Sequence, residues 1–175
     1  MFFKKTLHQE RIEIESYQVK IQVGKNPKLK HQLNMLNLTD TDLKYLCAFQ
    51  PYVEKNIGDI IDAFYDVLGV DSSLVKIINE HSSVERLKVT LKKHIYEMFS
   101  GVIDEQFIQK RKRIAHVHVY IGLPTQSYIA AFQNLNISFM QYVQDYIPHV
   151  QDQFSVLTAI SKMLNLEQQL VLEAF

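Results

Sequence analysis

The sequence predicts an all-α domain, and three observations carry that prediction. Gly and Pro are sparse, five and four in 175 residues, as long helices with short joints require. From Pro27 onward, apolar residues recur at spacings of three and four, the period of an amphipathic helix. Over residues 125–175, apolar side chains spread round most sides of two successive helices instead of following one stripe. With 47% hydrophobic and 22% charged residues, the chain has globular composition and is long enough for one well-filled core.

Residues 1–26 stand outside the helical pattern. Their weak alternation (Ile12, Ile14, Val19, Ile21, Val23) reads as an irregular or poorly ordered arm, or a short strand pair, ahead of a domain at 27–175. A short helix is expected over 28–36. A second opens at Leu38-Thr39-Asp40-Thr41-Asp42-Leu43, where Thr39 or Asp40 can accept the orphan N–H groups of the first turn. A third is expected over 52–68, with Val53, Ile57, Ile60, Ile61, Phe64 and Leu68 on its apolar side and Gly69 at its end. Short helical material over 72–80 leads to Ser82-Ser83-Val84-Glu85, where Ser82 and Glu85 have capping-box spacing. The helix opened there carries Val84, Leu87, Leu91, Ile95, Met98 and Val102 on one face. The next, 104–121, is closed by Gly122 just past the cap, and Pro124 suits the first turn of its successor. The last two helices, 125–147 and 151–174, are apolar on most sides and hence buried on most sides. They are expected to form a four-helix interface in a homodimer; the alternative is burial at the centre of one chain.

Bulk charge and motif content exclude several function classes. Lys+Arg and Asp+Glu both number 19 and no basic run is flanked by aromatics, so nucleic acid is not an expected partner. Lys and Arg lead the acids seven to three over 1–30 and trail them one to four over 125–175, which reads as a solvated tail ahead of a packed domain. Cys47 is the single cysteine, which excludes an intrachain disulfide and a Cys-rich zinc or iron–sulfur site within one chain. No run of eighteen apolar residues occurs, and Met-Phe-Phe-Lys-Lys continues into Thr-Leu-His-Gln-Glu without an apolar segment. A soluble, cytoplasmic protein with no membrane partner is therefore expected. His-Glu-x-x-His, the paired Glu-x-x-His of di-iron bundles, nucleophile elbows and Gly-rich phosphate loops are all absent, so no enzyme class is favoured.

Seven histidines remain to be placed. In Arg-Ile-Ala-His-Val-His-Val-Tyr-Ile-Gly-Leu-Pro (113–124), a helical wheel puts Phe107, Ile114, His118 and Ile121 within about 60° of one another. His116 falls about 160° from His118, beside Lys112 and Arg113. His118 therefore points inward, either as a hydrogen-bonded core residue or as a metal ligand. With the other metal motifs absent, haem is the group that suits it, because haem asks for one axial histidine and an apolar slot between helices. Tyr65, beside Phe64, and Thr90, flanking Leu87 and Leu91, are candidate polar groups for a bound gas, and each also reads as an ordinary boundary residue. His94, nearer the apolar centre of its helix, stays a rival ligand.

Three stretches carry a family resemblance: Asn-Glu-His-Ser-Ser-Val-Glu-Arg-Leu-Lys (79–88), His-Ile-Tyr-Glu-Met-Phe-Ser-Gly-Val-Ile-Asp (94–104) and Asn-Leu-Glu-Gln-Gln-Leu-Val-Leu-Glu-Ala-Phe (165–175). Over roughly residues 30–175 the chain resembles the sensor domains of globin-coupled sensors, above all those of haem-based aerotaxis transducers. The resemblance implies a globin-like fold with an extra N-terminal helix and a b-type haem (iron protoporphyrin IX). It places the proximal ligand on His118, the distal tyrosine on Tyr65 in Asp-Ala-Phe-Tyr and the distal threonine on Thr90 in Lys-Val-Thr-Leu-Lys. His81 matches a histidine near the haem edge, Leu87 a haem-facing leucine and Tyr128 a tyrosine on the proximal side. Phe64, Leu91, Ile114 and Ile121 complete the expected cofactor-binding set. Sensor domains of this kind dimerise through their last two helices.

The expected function is reversible O2 sensing at five-coordinate ferrous haem, with CO and NO as further ligands, signalling through the dimer interface to a chemotaxis output module. The chain stops at Phe175 without further heptads, and an end on Leu-Glu-Ala-Phe reads as a cut within a helix, hence an excised sensor domain that is not itself an enzyme. A stand-alone globin for gas binding or redox chemistry, and a haem-free globin-like interaction module, are the alternatives. Which of Tyr65 and Thr90 meets the gas is left open.

Overall fold

The computed structural model describes residues 10–175, in which seven helices follow one another through short joints. The first, α1 (Pro27–Met35), starts at Asn26, whose side chain accepts the Leu29 N–H, with Pro27 at a position that needs no donor. Next comes α2 (Asp40–Leu68), opened by a capping box in which Thr39 and Asp42 satisfy each other's backbone N–H. Two helices were expected where α2 is one continuous run of 29 residues through Pro51. Proline removes a single ladder donor, whereas Leu46 and Phe49 before it and Val53 after it are all fully buried. Core packing on both sides outweighs the local defect.

Asp71 caps α3 (Ser72–His81), and Ser83 caps α4 (Val84–Met98) through a 3.3 Å bond from the Arg86 N–H. The Ser82–Glu85 box is thus displaced by one residue. Ser82 is already occupied in closing α3, its N–H donating to the Ile78 carbonyl at 2.8 Å. Three further helices follow: α5 (Glu105–Tyr120), α6 (Thr125–Tyr146) and α7 (Val150–Leu172). Pro124 stands just before α6, one position earlier than its expected place in the first turn.

The alternation over 19–23 yields one short strand, β1 (Lys20–Ile21), whose parallel partner is β2 (Val102–Ile103), just ahead of α5. Further back, Arg11 grips the buried Asp152 of α7 with bonds of 2.9–3.1 Å, and the Ile12 N–H donates to the same carboxylate at 2.8 Å. The Met-Phe-Phe-Lys-Lys opening and the rest of residues 1–9 lie outside the described residues.

At the centre α2, α6 and α7 pack on one another, with α4 laid on α2 and α5 on α7. Phe49, Phe99 and Phe139 meet through the middle in tilted and edge-to-face contacts, at centroid distances of 6.2 and 5.2 Å. Much of the apolar breadth of α7 is met inside the chain: Val156, Ala159, Ile160, Met163, Leu164, Leu166, Leu170 and Val171 are buried. On α6, by contrast, Ile129, Ile137 and Met140 are 45%, 54% and 46% exposed. Among the described residues, no helix is long and apolar enough to cross a membrane.

Candidate functional site

A cavity of about 420 Å³ opens between the α2–α3–α4 side of the molecule and α5–α6. That size falls within the range of cofactor pockets, about 300–1,000 Å³. Its wall is almost wholly apolar: Phe64 and Leu68 from α2, Leu74, Ile77 and Ile78 from α3, Leu87 and Leu91 from α4, Ile114, Val117 and Ile121 from α5, Phe132 and Leu135 from α6. Periodicity places these residues, since each helix turns its three-and-four stripe toward the same space.

Into this wall α5 delivers His118, two residues before its last helical residue, Tyr120. The stop is a Schellman motif: Gly122 has φ +70°, its N–H reaches the Val119 carbonyl at 3.1 Å, and the Leu123 N–H reaches the His118 carbonyl at 3.0 Å. The backbone of His118 is therefore pinned by the turn that ends its helix. Its Nδ1 is buried and has no hydrogen-bond partner among the described residues. Burial, reinforced by the charge of nearby His94, pushes its pKa down to about 4. At neutral pH the imidazole is uncharged and keeps a lone pair for donation. His116, as the wheel required, is exposed.

Tyr128 sits next to it, ring centroids 5.4 Å apart, and its hydroxyl is also buried without a partner. Burial raises the pKa of that hydroxyl, so it remains protonated. From the other side come Tyr65 and Thr90. Tyr65 is half-buried against Phe64, and burial raises its pKa too; its hydroxyl bonds to none of the described residues. The Thr90 hydroxyl donates to the Arg86 carbonyl at 3.2 Å, the usual back-bond of a helical threonine.

The cavity brings together Phe64, Tyr65, Leu87, Thr90, Leu91, Ile114, His118, Ile121 and Tyr128 of the expected set. It leaves out His81, which is exposed at the end of α3 with its ring edge-on to Tyr120 at 6.1 Å.

One buried cluster was missed by sequence reasoning. His94 lines the cavity, and its Nε2 lies 2.9 Å from Oε2 of Glu167 on α7. Glu167 is fully buried and also accepts from Arg111 of α5, through Nε at 2.9 Å and Nη2 at 2.8 Å. Arg111 is itself fully buried, its guanidinium 3.7 Å from the Phe107 ring centre, and it binds Glu97 of α4 as well. Burial alone would push Glu167 up, but His94 and Arg111 reverse this and hold its carboxyl below the usual range. A signal was present: Arg111 lies two turns before His118 on the same face of α5, a charge set in an apolar stripe. Arg113, assigned to the polar side, also reaches the cavity rim.

A family model described as Protoglobin matches residues 25–175. The chain belongs to the Protoglobin family. The domain is 21% identical over 154 residues to the heme-based aerotactic transducer HemAT of Halobacterium salinarum, spanning 82% of this chain but only 32% of that protein. In structure it is similar to the globin domain of the Geobacter sulfurreducens globin-coupled sensor, with TM-score 0.78 and 23% identity over 83% of this chain and 95% of the other. It is also similar to the ferric globin domain of E. coli DosC, with TM-score 0.71 and 14% identity over 85% and 99%. These structures share its globin fold.

The residues present fit a haem. Among them, no group of three or more His, Cys, Asp or Glu side chains could hold a bare metal ion. What the cavity offers instead is an apolar slot and one neutral, unpaired imidazole, the donor set of a haem iron held from one side.

Proposed function

We propose that this domain is a haem-based gas sensor, with His118 holding haem b and O2 as its physiological ligand. The observation that carries the reading is a neutral imidazole whose buried Nδ1 has no partner among the described residues, lining an apolar cavity of about 420 Å³. Haem supplies a ferrous iron with a coordination position for O2, CO or NO. The chain's own groups do the rest. His118 would hold the iron through its lone pair, and the pinned α5 terminus fixes the backbone from which it does so. The apolar wall excludes water. Tyr65 offers a protonated hydroxyl with no competing bond, whereas Thr90 becomes a donor only by releasing the Arg86 carbonyl. A hydrogen bond to a guest that carries charge contributes about 1.5–3 kcal/mol, a tenfold or larger change in affinity, and a less polar guest gains less.

Signalling is assigned to the α6–α7 face of a homodimer, where Ile129, Ile137 and Met140 lie on one side of α6. The output is read as aerotaxis, in a longer polypeptide of which this domain is the sensor; the chain spans about a third of its aerotactic relative. Gas occupancy shifts such an interface only by its differential affinity for two packings.

The test is reconstitution with haemin, reduction, and an absorption spectrum with and without O2. The expected result is a five-coordinate reduced spectrum that O2 converts reversibly, and no Soret band in His118→Ala. A Soret band unchanged in His118→Ala overturns the assignment of His118, and a parent chain that takes up no haem leaves a globin-like interaction module as the function.

A further inference from the structure

Two imidazoles border the cavity, and the protein treats them in opposite ways. His118 has no hydrogen-bonding partner at Nδ1 among the described residues. His94 is held twice: its Nε2 meets the Glu167 carboxylate at 2.9 Å, and its backbone carbonyl accepts from Arg111 Nη2 at 3.5 Å. Glu167 is fixed in turn by Arg111, and both are 0% exposed.

From this contrast we infer that Glu167 is a positioning residue, one that ties up His94 and leaves His118 the single imidazole free to bind iron. The inference rests on the haem reading above. A carboxylate held below its usual pKa range is ionised and accepts only, so the nitrogen facing it carries a proton. That holds whether His94 is neutral or cationic. Nε2, the unhindered ring nitrogen that would otherwise ligate, therefore has no lone pair to give. Only Nδ1 is left, crowded by the residue's own side-chain attachment. The 2.9 Å contact to Glu167 also keeps the ring from turning Nε2 into the cavity. Ligand number is thus decided by a residue of α7, 73 positions beyond His94 in the chain and outside the cavity wall.

The test removes the tether without leaving a buried charge alone. Glu167→Leu with Arg111→Met takes out both partners of the buried pair, a change that apolar residues of similar size tolerate well. Glu97 keeps Lys110 at 2.6 Å. In the haem-free parent, side-chain 15N NMR is expected to show His94 with a protonated Nε2 slow to exchange, and the double variant to lose that protection. In the haem-loaded, reduced proteins, the parent is expected to be five-coordinate and high-spin. The double variant is expected to become six-coordinate and low-spin, and adding His94→Ala to return it to five-coordinate. A double variant that folds by circular dichroism yet stays five-coordinate overturns the role of Glu167. So does a low-spin spectrum that survives His94→Ala, or an unprotonated Nε2 in the haem-free parent. A parent without a Soret band overturns the haem reading and this role with it, whereas a parent with one and an unchanged double variant overturns this role alone.

Discussion

Among the described residues, His118 Nδ1 and the Tyr128 hydroxyl are buried in a mostly apolar wall without a hydrogen-bond partner, and each absence has a measurable consequence. An unsatisfied buried hydroxyl costs about 1–3 kcal/mol. Tyr128→Phe is therefore expected to stabilise the haem-free domain by about 1 kcal/mol in urea unfolding, and a loss of stability would show that the hydroxyl is bonded after all. For His118 the effect runs through pH. Its folded-state pKa, about 4, lies below the ordinary 6.5, so the unfolded chain takes up a proton first. The stability this contributes is complete above pH 6.5 and is lost as pH falls from there through 4, roughly 3 kcal/mol in all. Haem-free His118→Phe is expected to show a correspondingly flatter loss over that window, and an identical pH profile would refute the assignment. Under the proposed haem reading, Tyr65→Phe is expected to lower O2 affinity about tenfold with little effect on CO, the loss of one donor to a polar guest.

Among the elements, the joint between β2 and the helices around it is the least forgiving. Gly101 has φ +77°, and a Cβ there would overlap Cys47 Sγ and approach Val19 Cγ1 to 3.0 Å. Its carbonyl also accepts the Lys20 N–H at 2.9 Å, the bond that starts the β1–β2 pair. Gly101→Ala combines a left-handed backbone, about 1–3 kcal/mol by itself, with a clash against buried side chains. It is expected to cost about 3 kcal/mol in chemical denaturation; a change within experimental error would mean that the strand pair and Cys47 yield freely. Pro51 teaches the opposite lesson. A residue that ends helices on local grounds is carried inside α2, because Leu46, Phe49 and Val53 lock both halves into one core. The Ser82 box fails for a similar reason, in that the end of α3 claims that residue first.

Across the whole molecule, one ionic cluster joins three helices around the cavity: His94 and Glu97 of α4, Arg111 of α5 and Glu167 of α7. Removing Arg111 alone leaves Glu167 buried beside little compensation, so Arg111→Met is expected to cost about 3–5 kcal/mol, most of it recovered in the double variant with Glu167→Leu. Failure of the second change to rescue would mean that the cluster contributes through packing, not charge. The exposed stripe on α6 makes a separate prediction. A lysine in the middle of an apolar dimer face is strongly unfavourable, so Ile137→Lys is expected to convert a dimer to a monomer in light scattering. A parent that is already monomeric would remove this face from the signalling route.

What the sequence alone determined is what short-range chemistry determines: which segments are helical, which face of each turns inward, and that His118 points into the interior beside a glycine stop. Such signals act between residues three or four apart, and the chain writes them directly. How those faces meet is settled by long-range packing. Arg111 and Glu167 are 56 residues apart, and although Arg111 sits on an apolar stripe, only packing buries the two charges against each other and against His94. On α7, likewise, only packing shows how much of the broad apolar surface is met by α2, α5 and α6 within the chain. Burial of a charge, and the pairing that makes it tolerable, depends on partners that sequence spacing does not reveal. Here that pairing separates a free histidine from a tethered one.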